Sequence, residues 1–213
     1  MTVSPADLAS LLCSRLCHDM LSPVGALTNG LELLSEEQDP DMRQRCFELL
    51  EQSAHISASK LKFFRLAYGG AGHADDMVSL EEPRALIAAL AGDNGRITLD
   101  WQVGGTQMAR PAVKMLLNLA AIGMDALPRG GKLDIAGERG EQATELVVRA
   151  SGTRIAFDPT IGEALDGSLD ESRISARTAP AYMMYLLADN AGGGVQYMQQ
   201  DDALILGAVL PQV

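Results

Sequence analysis

The sequence predicts an α+β protein: an antiparallel helical hairpin over residues 1–72, followed by an α/β sandwich over residues 76–213. Three observations carry this. Apolar residues recur at three- and four-residue steps through the first third of the chain, as one face of a helix requires. An acidic, proline-ended break, Glu36-Glu37-Gln38-Asp39-Pro40, divides that pattern into two helices. Beyond Asp76 the period changes, and segments alternating like strands are interspersed with helical ones.

Taken in order, Ser4-Pro5-Ala6-Asp7 reads as a helix start, with Ser4 as N-cap and Pro5 at the first helical position. Leu8, Leu12, Leu16, Met20, Val24, Leu27, Leu31 and Leu34 then form the first apolar stripe. Met42, Cys46, Leu49, Leu50, Ser53, Ile56, Leu61, Phe64 and Ala67 form the second, ending at Gly69-Gly70. One hairpin cannot bury both flanks of its helices, so it is expected to pair with a second copy as a four-helix bundle, a homodimer. Ala71 to Asp76 reads as a linker. Leu80 to Leu90 is helical by pattern, Arg96 to Val103 alternates as a strand, and Arg110 to Leu127 is a strong helix stopped by Pro128-Arg129-Gly130-Gly131. Lys132 to Gly137 and Thr144 to Ala150 read as strands. A polar segment without a clear pattern follows, then a helix over Ala179 to Ala191 and a last hairpin, Val195 to Gln199 and Ala203 to Leu210.

Composition narrows the function classes. The 213 residues leave room for one large domain or two small ones, and 47% hydrophobic with only 4% aromatic residues implies a core of Leu, Ala, Val and Met. A formal net charge of -11 argues against nucleic acid or an anionic membrane as partner, since both are polyanions. Cys13, Cys17 and Cys46 offer no disulfide framework, and no apolar run is long enough to span a membrane. The expected setting is soluble and cytoplasmic. Cys13 and Cys17 share a helix face, but His18 points about 100° away and no second cluster completes a ligand set, so no metal site is expected. His55 and His73 carry no motif.

The chemistry-bearing stretch is Leu16-Cys17-His18-Asp19-Met20-Leu21-Ser22-Pro23. His18 lies off the apolar stripe, on a face with Leu11, Ser14, Ser22, Gly25 and Asn29, so its imidazole is expected to face solvent among small neighbours. Asp19 can orient the ring and keep one nitrogen an unprotonated nucleophile. Pro23 removes the N–H that would bond the Asp19 carbonyl, at a mid-helix cost of about 3 kcal/mol. Counting from the interhelical turn puts the second helix opposite His18 near Ser57, Ser59, Lys60 and Lys62. A lysine there, Lys60 above all, either stabilises the negative charge of a group transferred to the ring, a phosphoryl group if the resemblance described next holds, or simply solvates a helix face.

This His-Asp-x-x-x-Pro pattern resembles the phospho-accepting motif of two-component histidine kinases, and the hairpin-then-sandwich layout resembles their core, including the ATP-binding domain. The nucleotide residues depart from it. In the stretch resembling the kinase N box, Asn118 matches the first asparagine, but Ile122 stands where the magnesium-coordinating one is expected. After the strand ending at Arg149, Ala150-Ser151-Gly152-Thr153-Arg154 replaces Asp-x-Gly-x-Gly. Ser175-Ala176-Arg177-Thr178-Ala179-Pro180-Ala181 has no glycine where a phosphate loop needs several.

A retained framework with lost nucleotide residues resembles the ChpT-type histidine phosphotransferases of alphaproteobacterial phosphorelays. Besides Leu16-Cys17-His18-Asp19 with Ser22-Pro23, the matching stretches are Phe64-Arg65-Leu66-Ala67-Tyr68-Gly69, Leu99-Asp100-Trp101-Gln102 and Ala126-Leu127-Pro128-Arg129-Gly130-Gly131, the last two being more specific than the histidine motif. The resemblance implies phosphotransfer through His18 from the receiver domain of a hybrid histidine kinase to response-regulator receivers, CtrA-like or CpdR-like. It implies no ATP and no bound cofactor, with magnesium supplied by the receiver. Leu11, Ser14, Arg15, Leu21, Ser22 and Gly25 are the expected receiver contacts. A receiver-binding scaffold and an active kinase with divergent ATP boxes are the competing readings.

Overall fold

The structure, a computed structural model, describes residues 3–70, 76–92 and 95–212. The linker expected at Ala71 to Asp76 lies, apart from Asp76, outside the described residues, as does His73. Helix α1 spans Pro5–Glu36 and α2 Pro40–Tyr68. At the start of α1 the Asp7 N–H donates to Ser4 Oγ at 3.1 Å while the Asp7 carboxylate accepts from the Ser4 N–H, a capping box. At the turn, the Asp39 carboxylate accepts from the Asp41 and Met42 N–H groups. Arg43 reaches back to the carbonyls of Leu34 (2.9 Å) and Glu37 (2.8 Å), which α1 leaves without helical partners. The helices approach closely at Gly30, where a Cβ would lie 2.9 Å from Leu50 Cδ2.

The second part begins with β1 (Met77–Ser79) and α3 (Glu81–Gly92), then β2 (Ile97–Val103), β3 (Gln107–Ala109), α4 (Arg110–Asp125), β4 (Gly131–Arg139) and β5 (Ala143–Ser151). It continues with α5 (Pro159–Leu165), a single 3-10 turn (Glu171–Arg173), α6 (Ala179–Asn190), β6 (Gly194–Gln199) and β7 (Ala203–Pro211). Five strands form one sheet in the order β2-β4-β5-β7-β6, with β2 and β4 parallel and the other pairs antiparallel. Alternation fixes which face is covered: Thr144, Leu146, Val148 and Ala150 of β5 are buried, whereas Glu145, Val147 and Arg149 are exposed. Helices α3, α4 and α6 lie on the buried side, giving a two-layer sandwich. Gly123 lets α4 sit against the sheet, since a Cβ there would meet Leu133 Cδ1 at 2.8 Å.

Every helix and strand read from the pattern is present, with ends displaced by a residue or two. The short strands β1 and β3, helix α5 and the 3-10 turn were not foreseen. The β1–β3 ladder pairs only three residues a side, too few for an alternation to register. Helix α5 lies in the polar segment, where the Asp158 carboxylate caps Thr160 N–H at 3.0 Å just ahead of Pro159. The two parts share one core: Phe63 and Ala67 of α2, 3% and 0% exposed, pack with Met115, Leu116 and Leu119 of α4. Among the described residues no helix is long and apolar enough to cross a membrane.

Candidate functional site

His18 stands on the outer face of α1 with 82% of its side chain exposed. Its Nδ1 lies 3.3 Å from Asp19 Oδ1, which leaves Nε2 turned to solvent. The neighbours foreseen around it are there. Ser14, Ser22 and Leu21 are exposed, Leu21 by 70%; Leu11 is half-buried; and nothing comes within 4 Å of a Cβ built on Gly25.

Asp19 is held more firmly than the histidine. Its Oδ2 accepts from Arg15 Nε at 2.7 Å, an ion pair one helical turn apart. Its main-chain carbonyl, which Pro23 deprives of a helical donor, accepts from Lys60 Nζ at 3.0 Å. The hairpin count put Lys60, with Ser57, Ser59 and Lys62, in the stretch opposite the histidine. The structure puts its ammonium on the Asp19 carbonyl, where it makes up for the donor that the buried Pro23 lacks. Arg15, read as a receiver contact, is tied inward: its Nη2 also donates to Asp125 Oδ2 at 3.3 Å, joining α1 to the end of α4. Lys62 is exposed.

Asp125 and Tyr68 were not foreseen as part of this site. Asp125 is 110 residues from its partner in sequence, and its one local signal is a carboxylate in the last turn of a helix, where the dipole disfavours it. Burial works to lower the Arg15 pKa, but the hydrogen bond and charge of Asp19, joined by those of Asp125, raise it overall, so the guanidinium stays charged. Protein crowding raises the Asp125 pKa against the pull of Arg15; with 69% of the side chain open to water, that crowding is one-sided and screened.

Burial pushes the Tyr68 phenol up to about 12; Arg15 opposes this, while Asp19 and Asp125 add to it. The unfolded chain gives up this proton near pH 10 and the folded chain holds it longer, so stability falls as pH rises across that window, by roughly 2–3 kcal/mol. Denaturant unfolding at about pH 9 and about pH 11.5 should show that fall in the parent, and a Tyr68→Phe variant should lose that part of the slope.

Arg15, Asp19, Lys60, Phe63, Asp125 and Gly130 line a cleft of about 460 Å³ between the hairpin and the second part, beside the histidine. Deeper in, where α4 faces the start of α6, the space is different. Asn118 is buried, its Nδ2 donating to the Lys114 carbonyl at 2.8 Å and its Oδ1 without a partner among the described residues. Ile122 is 8% exposed and Ala150 0%. Ile161 of α5 closes in with Arg177 and Pro180, and the cavity there measures about 60 Å³. Pockets that enclose small organic ligands run to about 300–1,000 Å³. Among the described residues no group of three or more His, Cys, Asp or Glu side chains is placed to hold a metal ion.

Residues 80–203 match the family model for the histidine phosphotransferase C-terminal domain. The chain is 35% identical over 192 residues to the protein phosphotransferase ChpT of Brucella abortus (strain 2308), covering 90% of each. It superposes on the 1.7 Å structure of a bacterial phosphotransferase with a TM-score of 0.84 at 30% identity over 98% of both chains. The histidine kinase domain of the Erythrobacter litoralis EL346 blue-light activated kinase shares the fold, at TM-score 0.51 and 12% identity over 89% of this chain and 94% of that one.

Proposed function

The chain belongs to the histidine phosphotransferase family, and we propose that it relays a phosphoryl group through His18 between the receiver aspartate of a hybrid histidine kinase and those of response regulators, without using ATP. The observation that carries this reading is the pairing of a solvent-facing Nε2 with an Asp19 carboxylate on Nδ1. Nε2 attacks the phosphorus of the receiver's acyl phosphate in line. The N–P bond forms as the P–O bond to the aspartate breaks, and the aspartate leaves as a carboxylate. Nδ1 keeps its proton, and Asp19 Oδ1 accepts it in a hydrogen bond that strengthens as the ring gains positive charge. The reverse step loads a second receiver. The receiver brings the magnesium ion and a lysine, and this chain contributes positioning.

Leu11, Ser14, Leu21, Ser22 and Gly25, with the outward edge of Arg15, are the proposed receiver contacts; CtrA-like and CpdR-like regulators are the proposed acceptors. The filled space around Ile122, Ile161 and Pro180 supports the absence of ATP use. Val24 and Leu31 on α1, with Phe47 and Leu61 on α2, are exposed at spacings of seven and fourteen residues, which supports a homodimer with a four-helix bundle at its centre. Residues 1–72 would then serve dimerisation and transfer, and residues 76–213 would be a kinase-like domain that has lost its nucleotide.

Incubation with a panel of phosphorylated receivers should label the chain within seconds to minutes, whereas labelled ATP and magnesium alone should leave it unlabelled. Labelling from ATP would turn the reading to a kinase. Receiver binding without labelling would turn it to a scaffold.

A further inference from the structure

Three polar contacts link the second domain to the histidine, and the outermost has no role in the reaction described above. Asp125 occupies the last turn of α4, which carries no basic residue to offset it. A carboxylate there faces the negative end of the helix dipole, an arrangement that costs about 0.3–1 kcal/mol unless a cation answers it. The cation is Arg15, from the other part of the molecule. Arg15 in turn gives its Nε to one oxygen of Asp19, whose other oxygen lies at His18 Nδ1. Lys60 holds the Asp19 main chain from the remaining side. Asp19 is thus fixed by α1, by α2 and, through Arg15, by α4.

The energies separate this from a stabilising device. Arg15 and Asp19 keep 27% and 22% of their side-chain surface and Asp125 keeps 69%, so each pair contributes little to folding, about 0–1 kcal/mol. Orientation of a reacting group is a different quantity, because small misplacements lower rates far more than they lower stability. An i,i+4 arginine held only at its Nε is free to swing. The contact of Nη2 with Asp125 removes that freedom, and with it the freedom of the carboxylate that faces the imidazole.

We infer that Asp125 is a positioning residue for phosphotransfer: through Arg15 and Asp19 it sets the orientation of the His18 ring, so the second domain acts as a fixed arm on the transfer site. This rests on His18 being the phosphoryl carrier. It gives the kinase-like domain work that needs none of the nucleotide residues it lacks, and it accounts for an acidic residue standing where the helix disfavours it.

The test uses the full chain with Asp125→Asn, Asp19→Asn and the double variant, and two readouts. In nitrogen-15 spectra of the resting protein, Asp125→Asn should shift the His18 ring signals in the same direction as Asp19→Asn, by less. In single-turnover transfer from a phosphorylated receiver, Asp125→Asn should lower the maximal rate roughly three- to thirtyfold, the range for a residue acting at one remove, with half-saturating receiver concentration and melting temperature unchanged. The double variant should be no slower than Asp19→Asn alone, because the two act in series. A loss confined to half-saturation would make Asp125 a docking contact and overturn the inference. So would losses that multiply in the double variant, or ring signals that do not move. If the parent chain transfers nothing, the relay reading fails, and the ring spectra still decide whether Asp125 reaches His18.

Discussion

Replacing His18 with alanine is expected to reduce labelling by a phosphorylated receiver to background while leaving the fold and the oligomeric state as they were. With 82% of its side chain in water and its ring held by a 3.3 Å contact to Asp19, His18 contributes almost nothing to packing. Alanine is also the better helix former by about 0.5 kcal/mol, so stability should stay level or rise slightly. Asp19 keeps its bonds to Arg15 and Lys60 in the variant. Acid-labile label on a gel, read beside a thermal melt and a sedimentation profile, checks all three statements at once. An inactive variant that had also lost its melting transition would say nothing about chemistry, and the exposure of the ring argues against that result.

The second large effect is on stability. Phe63→Ala is expected to cost about 3–5 kcal/mol, the usual range for removing a buried aromatic ring, against a total stability of about 5–15 kcal/mol for an ordinary domain. Phe63 is 3% exposed, stands edge-on to Phe64 with ring centroids 6.1 Å apart, and lies where α2 joins the core beneath α4. It also lines the cleft beside Arg15 and Asp19, so its loss should slow transfer with His18 untouched. Denaturant unfolding of parent and variant measures the difference. A change under about 1 kcal/mol would mean that the site has collapsed to fill the gap or that the hairpin and sandwich are joined only loosely.

The hairpin was legible because its signals are local and repeated: the Ser4-Pro5 start, the acidic break before Pro40 and the periodic stripes all act within a turn or two of helix. The same regularity let a simple count bring the stretch holding Ser57, Ser59, Lys60 and Lys62 opposite the histidine, and Lys60 reaches the residue next to it. What the count could not supply was its partner atom, which depends on Pro23 removing one N–H a turn away. The core strands were legible through alternation, as in β5. The three-residue strands β1 and β3 have no room to alternate, and α5 is seven residues long in a polar stretch. Asp125 was read only as part of a helix, because its meaning lies in a contact with Arg15 across 110 residues, and periodicity carries no information about such a contact.

The measurement that tests the central claim most directly is a time course in which this chain, a phosphorylated donor receiver and an unphosphorylated acceptor receiver are mixed without ATP, with the phosphorylated residue mapped by mass spectrometry. The account predicts phosphate on His18 at early times, declining as the acceptor aspartate gains it. Phosphate reaching the acceptor without passing through His18, or never leaving the donor, would contradict it.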